Sequence, residues 1–359
     1  MADETQSATT TTVTTSPVPP QIIVQQQPSA FGRFGKWLLA ALVIAVLIII
    51  GLYSSYHSYF SPSDAPQEKY HSLARHALKK IAIIDVSGAI LEDEDSFAKK
   101  QIDRVREDDD VVGVVVRINS PGGTITGSDY IYHHLRELVE DRELPLVVSM
   151  GSVCASGGYY VAMAVGDTKN AIFAEPTTWT GSIGVIIPHF DLSGALSALR
   201  IEEDSIVSGP LKHMGTPTRP MTEEERKLLQ TLVDESFAEF KAIVAGGRPK
   251  FKDDPAALDA VATGQIFTAK QALERGLIDQ IGFLEKAIDR AVELAGQDAD
   301  NVRCVKYEQQ PTLVDMIVGS NARLPLRGSI DVATLLDLAA PRAYYLWSWL
   351  PAVMSSSHN

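Results

Sequence analysis

Apolar residues fall along this chain in two patterns: one long unbroken run near the start, and a series of short runs spaced through the rest. The long run is Trp37 to Tyr53 (WLLAALVIAVLIIIGLY), 17 residues that are all apolar or small. As a helix it reaches about 26 Å at about 1.5 Å per residue, close to the hydrocarbon thickness of a bilayer. No Lys, Arg, Asp or Glu lies between Lys36 and Asp64, so residues 33–56 are expected to form one transmembrane anchor. The short runs are IAIIDV (81–86), VVGVVVRI (111–118), LPLVVSM (144–150), NAIFA (170–174) and SIGVII (182–187). They read as strands, and the stretches between them read as helices. Such alternation predicts an α/β fold with a mostly parallel sheet covered by helices.

Helices are expected over Phe97–Glu107 and Ser128–Asp141. A longer one opens on a capping box, Thr222 with Glu225, and sets Leu229, Leu232, Val233, Phe237, Phe240 and Val244 on one face. A last helix–turn unit runs from Thr268 to the helix-ending Gly276. Regularity fades after about residue 300, until YYLWSWLPAV (344–353) gathers Tyr344, Tyr345, Trp347 and Trp349. Those aromatics suit a docking segment or a membrane interface. Residues 1–32, rich in Thr, Ser, Gln and Pro, cannot bury enough surface to offset chain entropy and are expected to be a disordered arm. Five regions result: the arm (1–32), the anchor (33–56), a linker (57–78), the α/β domain (79–298) and a C-terminal extension (299–359).

Charge adds a partner exclusion and an orientation. The chain holds 45 Asp+Glu against 32 Lys+Arg, a net charge of −13. The first 63 residues contain only Asp3, Glu4, Arg33 and Lys36, so the excess lies wholly in the remainder, which phosphate backbones would repel. Nucleic acid is not an expected partner. Arg33 and Lys36 flank the anchor on its N-terminal side and the next cation is Lys69, which places the N-terminus in the cytoplasm and the large domain outside it. A cleaved signal peptide is the competing reading, but no small-x-small cleavage site follows before Asp64. Two cysteines, Cys154 and Cys304, are too few for a disulfide framework or a four-ligand zinc site, and no metal or cofactor is expected.

Candidate chemistry sits at two glycine-rich strand ends, where ligand crevices form in parallel sheets. In RINSPGGTITGS (117–128), Pro121-Gly122-Gly123 can turn sharply and leave N–H groups open toward a developing oxyanion. In SMGSVCASGGYYVAMA (149–164), Ser156 follows a strand and precedes Gly157-Gly158 and an apolar helix. A serine there is either an N-cap or a nucleophile beside helix N–H donors. The α/β-hydrolase elbow requires glycine where this chain has Cys154, which disfavours that fold. None of the eight histidines lies in an obvious strand-end loop with an acidic partner. Lysine is the other possible base, provided burial favours its neutral form, and Lys212 in IVSGPLKHMG stands in a turn context with no acidic residue within five positions.

Read together and in order, SPGG, MGSxxASGGYY, TGSIGV, SGxxK followed by TEEE, and GxxFTxxQAxxxGLIDxIG resemble the signal peptide peptidase A family of membrane-bound serine endopeptidases, in its short single-domain form. The resemblance covers roughly residues 79–295. It implies a Clp protease/crotonase-like fold and a Ser–Lys dyad. Ser156 looks like the nucleophile and Lys212 like the general base. Gly157 and the Gly122-Gly123 turn would supply oxyanion donors, and Ser182 of TGSIGV would orient the lysine amine. Cys154 stands where an alanine-like residue is expected, and a thiol is a similar small hydrophobe. Substrates would be peptides with hydrophobic segments, such as released signal peptides, at the lipid bilayer. The family implies a homo-oligomeric ring in which serine and lysine come from neighbouring protomers. Competing readings are a membrane-tethered scaffold without activity, which would need a lost dyad, and a Clp-type Ser–His–Asp protease, which expects a histidine within Asn170–Gly184 where none occurs. A crotonase-like acyl-CoA enzyme would use carboxylates near the two turns, where only Asp129 is close.

Overall fold

The structure, a computed structural model, describes residues 30–60, 65–309 and 344–346, with side chains over 35–53 and 65–309. The N-terminal arm before Ala30 and most of the C-terminal extension lie outside the described residues. Two units are present, one ending at Ser63 and one beginning at Asp64. The first contains a single helix, α1 (Ala30–Phe60). Its stretch Gly35–Tyr53 is long and apolar enough to cross a membrane, and no residue of it is buried.

In the second unit the chain order opens with β1 (Gln67–Leu73), β2 (Lys79–Ser87), α2 (Phe97–Arg106), β3 (Val111–Ser120), β4 (Gly122–Thr124), α3 (Ile125–Arg142) and β5 (Leu146–Ala155). There follow α4 (Gly157–Ala162), β6 (Ile172–Ala174), β7 (Trp179–Gly181), α5 (Ser193–Ala198) and the long α6 (Glu223–Gly247). The unit continues through α7 (Pro249–Asp253), α8 (Pro255–Val261), β8 (Ile266–Thr268), α9 (Ala269–Arg275), β9 (Gln280–Ile281), α10 (Leu284–Leu294) and β10 (Val302–Glu308). A last short strand, β11, is Tyr344–Leu346.

Strand order across the main sheet is β1-β10-β2-β3-β5-β6-β9. From β10 to β9 every pairing is parallel, and only β1 runs antiparallel, on β10. β7 pairs parallel with the far end of β5 and carries β8 antiparallel at its other side. The central strands are almost wholly buried, as Ile81, Ala82, Ile84, Val114, Val115, Val116, Val147 and Val148 attest. Burial on both faces is what a β-branched, unalternating run dictates, because parallel strands need helices to cross over and those helices cover the sheet. α2 packs on β2, and α10 packs on β3 and β5.

The expected strands at 81–86, 111–118, 144–150 and 170–174 are found in β2, β3, β5 and β6. The run at 182–187 differs: the strand is Trp179–Gly181, and it stops where Ser182 takes a positive φ of 52°. The sheet also reaches beyond 79–298, since β1 and β10 belong to it. The expected capping box is present at Thr222/Glu225, and the helix–turn unit at Thr268 opens on a second one, Thr268/Gln271. On α6, Leu229, Phe240 and Val244 are buried, whereas Leu232 of the expected apolar face is half exposed at 49%.

Candidate active site

The ends of β3 and β5 meet at two turns. β3 ends at Ser120, whose Oγ accepts the Gly122 N–H at 3.0 Å. Gly122 has φ 101°, a backbone state open mainly to glycine. β4 then runs along the segment after β2: Ile90 donates its N–H to Gly122 O at 3.0 Å and accepts the Thr124 N–H at 2.9 Å. This approach leaves no room for a side chain at Gly123, where a Cβ would lie 1.7 Å from Ile90 O. Thr124 caps α3 by accepting the Gly127 N–H.

Ser156 follows β5 directly. Its φ of 54° and ψ of −117° place it in a region that an L residue occupies only under strain, at a cost on the order of 1–3 kcal/mol. It holds the N-cap position of α4, yet its side chain caps nothing. Its Oγ is buried without a hydrogen-bond partner, which costs about 1–3 kcal/mol more. The backbone is fixed on both sides: Ser156 N–H donates to Gly181 O at 2.8 Å, and Tyr160 N–H donates to Ser156 O at 2.9 Å. A strained, buried and unpartnered hydroxyl at a strand-to-helix turn is poor structure and suitable chemistry, because nothing competes with a reacting carbonyl for that oxygen.

The two turns touch. A Cβ on Gly157 would come within 3.2 Å of Gly122 Cα and of Gly123 N, and within 2.2 Å of Ser128 Oγ. Gly157 N–H, in the first turn of α4, has no intrahelical acceptor to satisfy it. Ser182 is carried against the same corner by β7, since Gly181 accepts the Ser156 N–H and Ser182 donates its own to Gln265 O at 2.7 Å. Five of the six residues expected from the sequence, Gly122, Gly123, Ser156, Gly157 and Ser182, are thus brought together.

Lys212 is not brought to them within the described hydrogen bonds. It sits in a single-turn 3-10 helix, Pro210–His213, and is exposed. Beside it His213 Nδ1 pairs with Glu203 Oε1 at 3.0 Å, an acidic partner the local sequence does not reveal. This 3-10 turn lies on a long excursion between β7 and α6 on which several apolar residues face outward: Phe190, Leu199, Ile201 and Leu211 are exposed, and Ile206 fully so. Arg219, at the end of the excursion, clamps it to α6 by donating to Glu225 Oε1 and Oε2. That guanidinium holds the Glu225 carboxyl well down, at about 2.

Two positions of the site escape a reading by motif. Gly181, which accepts the Ser156 amide, lies inside TGSIGV but carries no side-chain signal. Ser128 fills the space beside Gly157 and donates its hydroxyl to Thr124 O at 2.8 Å, an i to i−4 relation visible only once α3 begins at Ile125. Burial pushes the Cys154 thiol up, out of the nucleophile range. The one grouping of possible metal ligands among the described residues, His133, His134 and Glu137, stands on α3 away from the two turns, and Glu137 is shared there with Arg106. Asp129, the one carboxylate close after the first turn, accepts the Tyr160 hydroxyl at 2.7 Å.

Comparison with known proteins adds a family to this geometry. Residues 139–298, which include Ser156, Ser182 and Lys212, match Peptidase family S49. A putative protease of Synechocystis is 38% identical over 246 residues, 68% of this chain and 85% of that protein. The putative signal peptide peptidase SppA of Enterococcus faecium is 36% identical over 59% of this chain and 62% of its own length. Protease 4 of Salmonella typhi is 32% identical over 67% of this chain, which spans only 38% of that longer protein. With a mostly parallel sheet of the Clp type and this extent of identity, the chain belongs to peptidase family S49, the signal peptide peptidase A family of serine peptidases.

Proposed function

We propose that this chain is a membrane-anchored serine endopeptidase, that Ser156 is its nucleophile, and that Lys212 of a second copy is the general base. The observation that carries the reading is the state of Ser156: strained, buried and without a partner for its hydroxyl. In the mechanism Ser156 Oγ attacks the scissile carbonyl while the neutral Lys212 amine takes its proton. The negative charge that develops on the carbonyl oxygen is met by N–H groups of Gly157 and of the Gly122-Gly123 turn. For Gly122 this requires Ser120 Oγ to yield the amide it now accepts. The lysine ammonium then protonates the leaving amine, and water, deprotonated by the same lysine, hydrolyses the acyl-enzyme.

Two features favour a shared site. Lys212 is exposed and Ser156 has no partner, so neither residue has its counterpart within this chain's described contacts. The outward apolar residues around Lys212 are what a docking surface presents, and their burial against another copy would supply the apolar cover that a lysine base needs. Ser182, which follows the Gly181 that accepts the Ser156 amide, would accept from the incoming amine. The apolar helix over Gly35–Tyr53 supports anchoring, with the peptidase unit outside the cytoplasm and hydrophobic peptide segments such as released signal peptides as substrates. The test is labelling of the purified full chain with an acyl-type serine probe. Wild type should label at Ser156 and Ser156→Ala should not; equal labelling of the two, or none of the wild type, removes the assignment.

A further inference from the structure

The excursion that carries Lys212 has little regular structure of its own. α5 spans six residues, and Pro210–His213 is a single 3-10 turn in which Lys212 N–H donates to Gly209 O at 3.0 Å. Such turns are poorly bonded, so what fixes the direction in which Lys212 leaves the backbone must come from outside the turn. It comes at the next residue. His213 donates Nδ1–H to Glu203 Oε1 at 3.0 Å, and an ionised carboxylate only accepts, which puts an imidazole proton on Nδ1. The two side chains keep 27% and 23% exposure, which spares the pair much of the screening that weakens surface ion pairs. Glu203 Oε2 accepts the Thr218 hydroxyl, so one carboxylate joins the turn to the returning limb of the excursion. The His213 carbonyl is held as well, accepting the Thr216 N–H at 3.2 Å and Arg219 Nη2 at 3.4 Å. Arg219 in turn donates to Glu225, in the capping box that opens α6.

We infer that Glu203 is a positioning residue for the proposed base: by tying His213 to Thr218 it fixes the turn from which Lys212 reaches the nucleophile, an inference that rests on the Ser156–Lys212 reading. One peptide unit separates His213 from Lys212, so a ring held at Nδ1 restricts the backbone that launches the lysine. A lysine side chain already carries about 2 kcal/mol of rotamer entropy, and a base at its end can be placed only if the backbone beneath it does not wander too. Charge gives Glu203 a second reason to be bound where it is. A free carboxylate beside Lys212 would favour the ammonium form and spoil a base that must be neutral. With Oε1 on His213 and Oε2 on Thr218, both oxygens of Glu203 are engaged elsewhere. The loop thus secures its turn with a carboxylate and keeps that carboxylate occupied.

The test is made on the full chain and compares Glu203→Ala, which cuts both links, with Glu203→Gln, which keeps an acceptor for His213. Glu203→Ala should lower kcat on a reporter peptide by about 10- to 100-fold at unchanged KM, the loss that a misplaced catalytic group brings, and Glu203→Gln should recover most of it. His213→Asn, whose Nδ2 donates from the place of Nδ1 but is no base, should behave like Glu203→Gln. Placement on two kinds of chain then separates positioning from general support. In a mixture of Ser156→Ala and Lys212→Ala chains, Glu203→Ala should cut the restored hydrolysis when the Ser156→Ala chain, which supplies the lysine, carries it. Carried by the Lys212→Ala chain, it should leave that hydrolysis intact. An equal fall in both placements, a wild-type kcat in Glu203→Ala, or an inactive His213→Asn beside an active Glu203→Gln overturns the inference. If the mixture without Glu203→Ala is silent, the shared site is what fails, and the kcat-against-KM split of the single variants decides the role of Glu203. A wild-type chain that neither hydrolyses peptide nor labels at Ser156 removes the peptidase reading and this inference with it.

Discussion

At the scale of single residues, the site combines strain at Ser156 with close packing at the glycine beside it. Gly157 faces Ser128 Oγ so closely that a methyl group there forces a shift. Gly157→Ala should lower stability by about 1–3 kcal/mol and cut acyl-probe labelling, measured by thermal unfolding and labelling on the same samples. Labelling and melting like those of wild type would mean the two turns are looser than drawn. The proposed dyad makes a second, chemical demand. Lys212→Arg should be as inactive as Lys212→Ala, because a guanidinium does not give up its proton, and peptide hydrolysis is the readout. Activity in the arginine variant would move the base elsewhere, first to His213, whose pairing with Glu203 gives it the acidic partner that the sequence alone does not disclose. That Ser156, Gly122, Gly123, Gly157 and Ser182 meet was legible beforehand, from glycine-rich strand ends and a family pattern. What no motif could convey is the backbone torsion of Ser156 or the space claimed by Ser128, since both are properties of how two turns pack. The burial that a lysine base requires is not found at Lys212, which is exposed in the single chain.

At the scale of elements, helix ends and short tethers set the order in which pieces hold. The Thr268 box satisfies the first amides of α9, where Thr268 Oγ1 accepts the Gln271 N–H. Thr268→Ala should cost about 1 kcal/mol, seen as a lower melting temperature. The Thr222 box carries an added ion pair, and here pH decides. Glu225 has its carboxyl held near 2 in the folded chain by Arg219, against about 4.3 when unfolded, so its contribution is complete above about 4.3 and is lost as pH falls toward 2. The stability gap between wild type and Glu225→Gln should therefore be widest near neutral pH and close between about pH 4 and 2, followed by thermal unfolding across that range. A gap that does not change with pH would mean that the pair contributes nothing through its charge. Because Arg219 ends the excursion that bears Lys212, acid should also release that segment first. Legibility at this scale followed burial. β2, β3, β5 and β6 are β-branched or apolar runs with both faces covered, so composition alone located them. β1, QEKYHSL, is an edge strand of mostly polar residues, and β7 is only Trp-Thr-Gly; each is a strand because a neighbour pairs with it, which local sequence does not encode. The SIGVII run missed its strand because Ser182 turns the backbone before the apolar residues begin.

At the scale of the whole molecule, activity is expected to be a property of an assembly held at a membrane. Mixing Ser156→Ala chains with Lys212→Ala chains should restore part of the hydrolysis, through sites that pair an intact serine with an intact lysine. Mixed oligomers that form and stay silent would place the dyad within one chain. A reporter fused after residue 359 should be active only outside the cytoplasm, in keeping with Arg33 and Lys36 preceding the proposed anchor; cytoplasmic activity would reverse the orientation. One feature of the sheet bears on how the peptidase unit could be handled apart from its attachments. Gln67, where the first strand enters, stands opposite Glu308, where the last strand of the sheet leaves. Entrance and exit are neighbours, so the polypeptide between them is nearly a closed loop, and its two ends can be ligated by a short linker without crossing the fold. A circular permutant that joins residue 309 to residue 66 and opens at the exposed Asp254, between α7 and α8, would keep every strand of the main sheet while shedding the apolar helix and the C-terminal strand in one step. Such a molecule would present the α/β unit with no apolar run as long as Trp37–Tyr53.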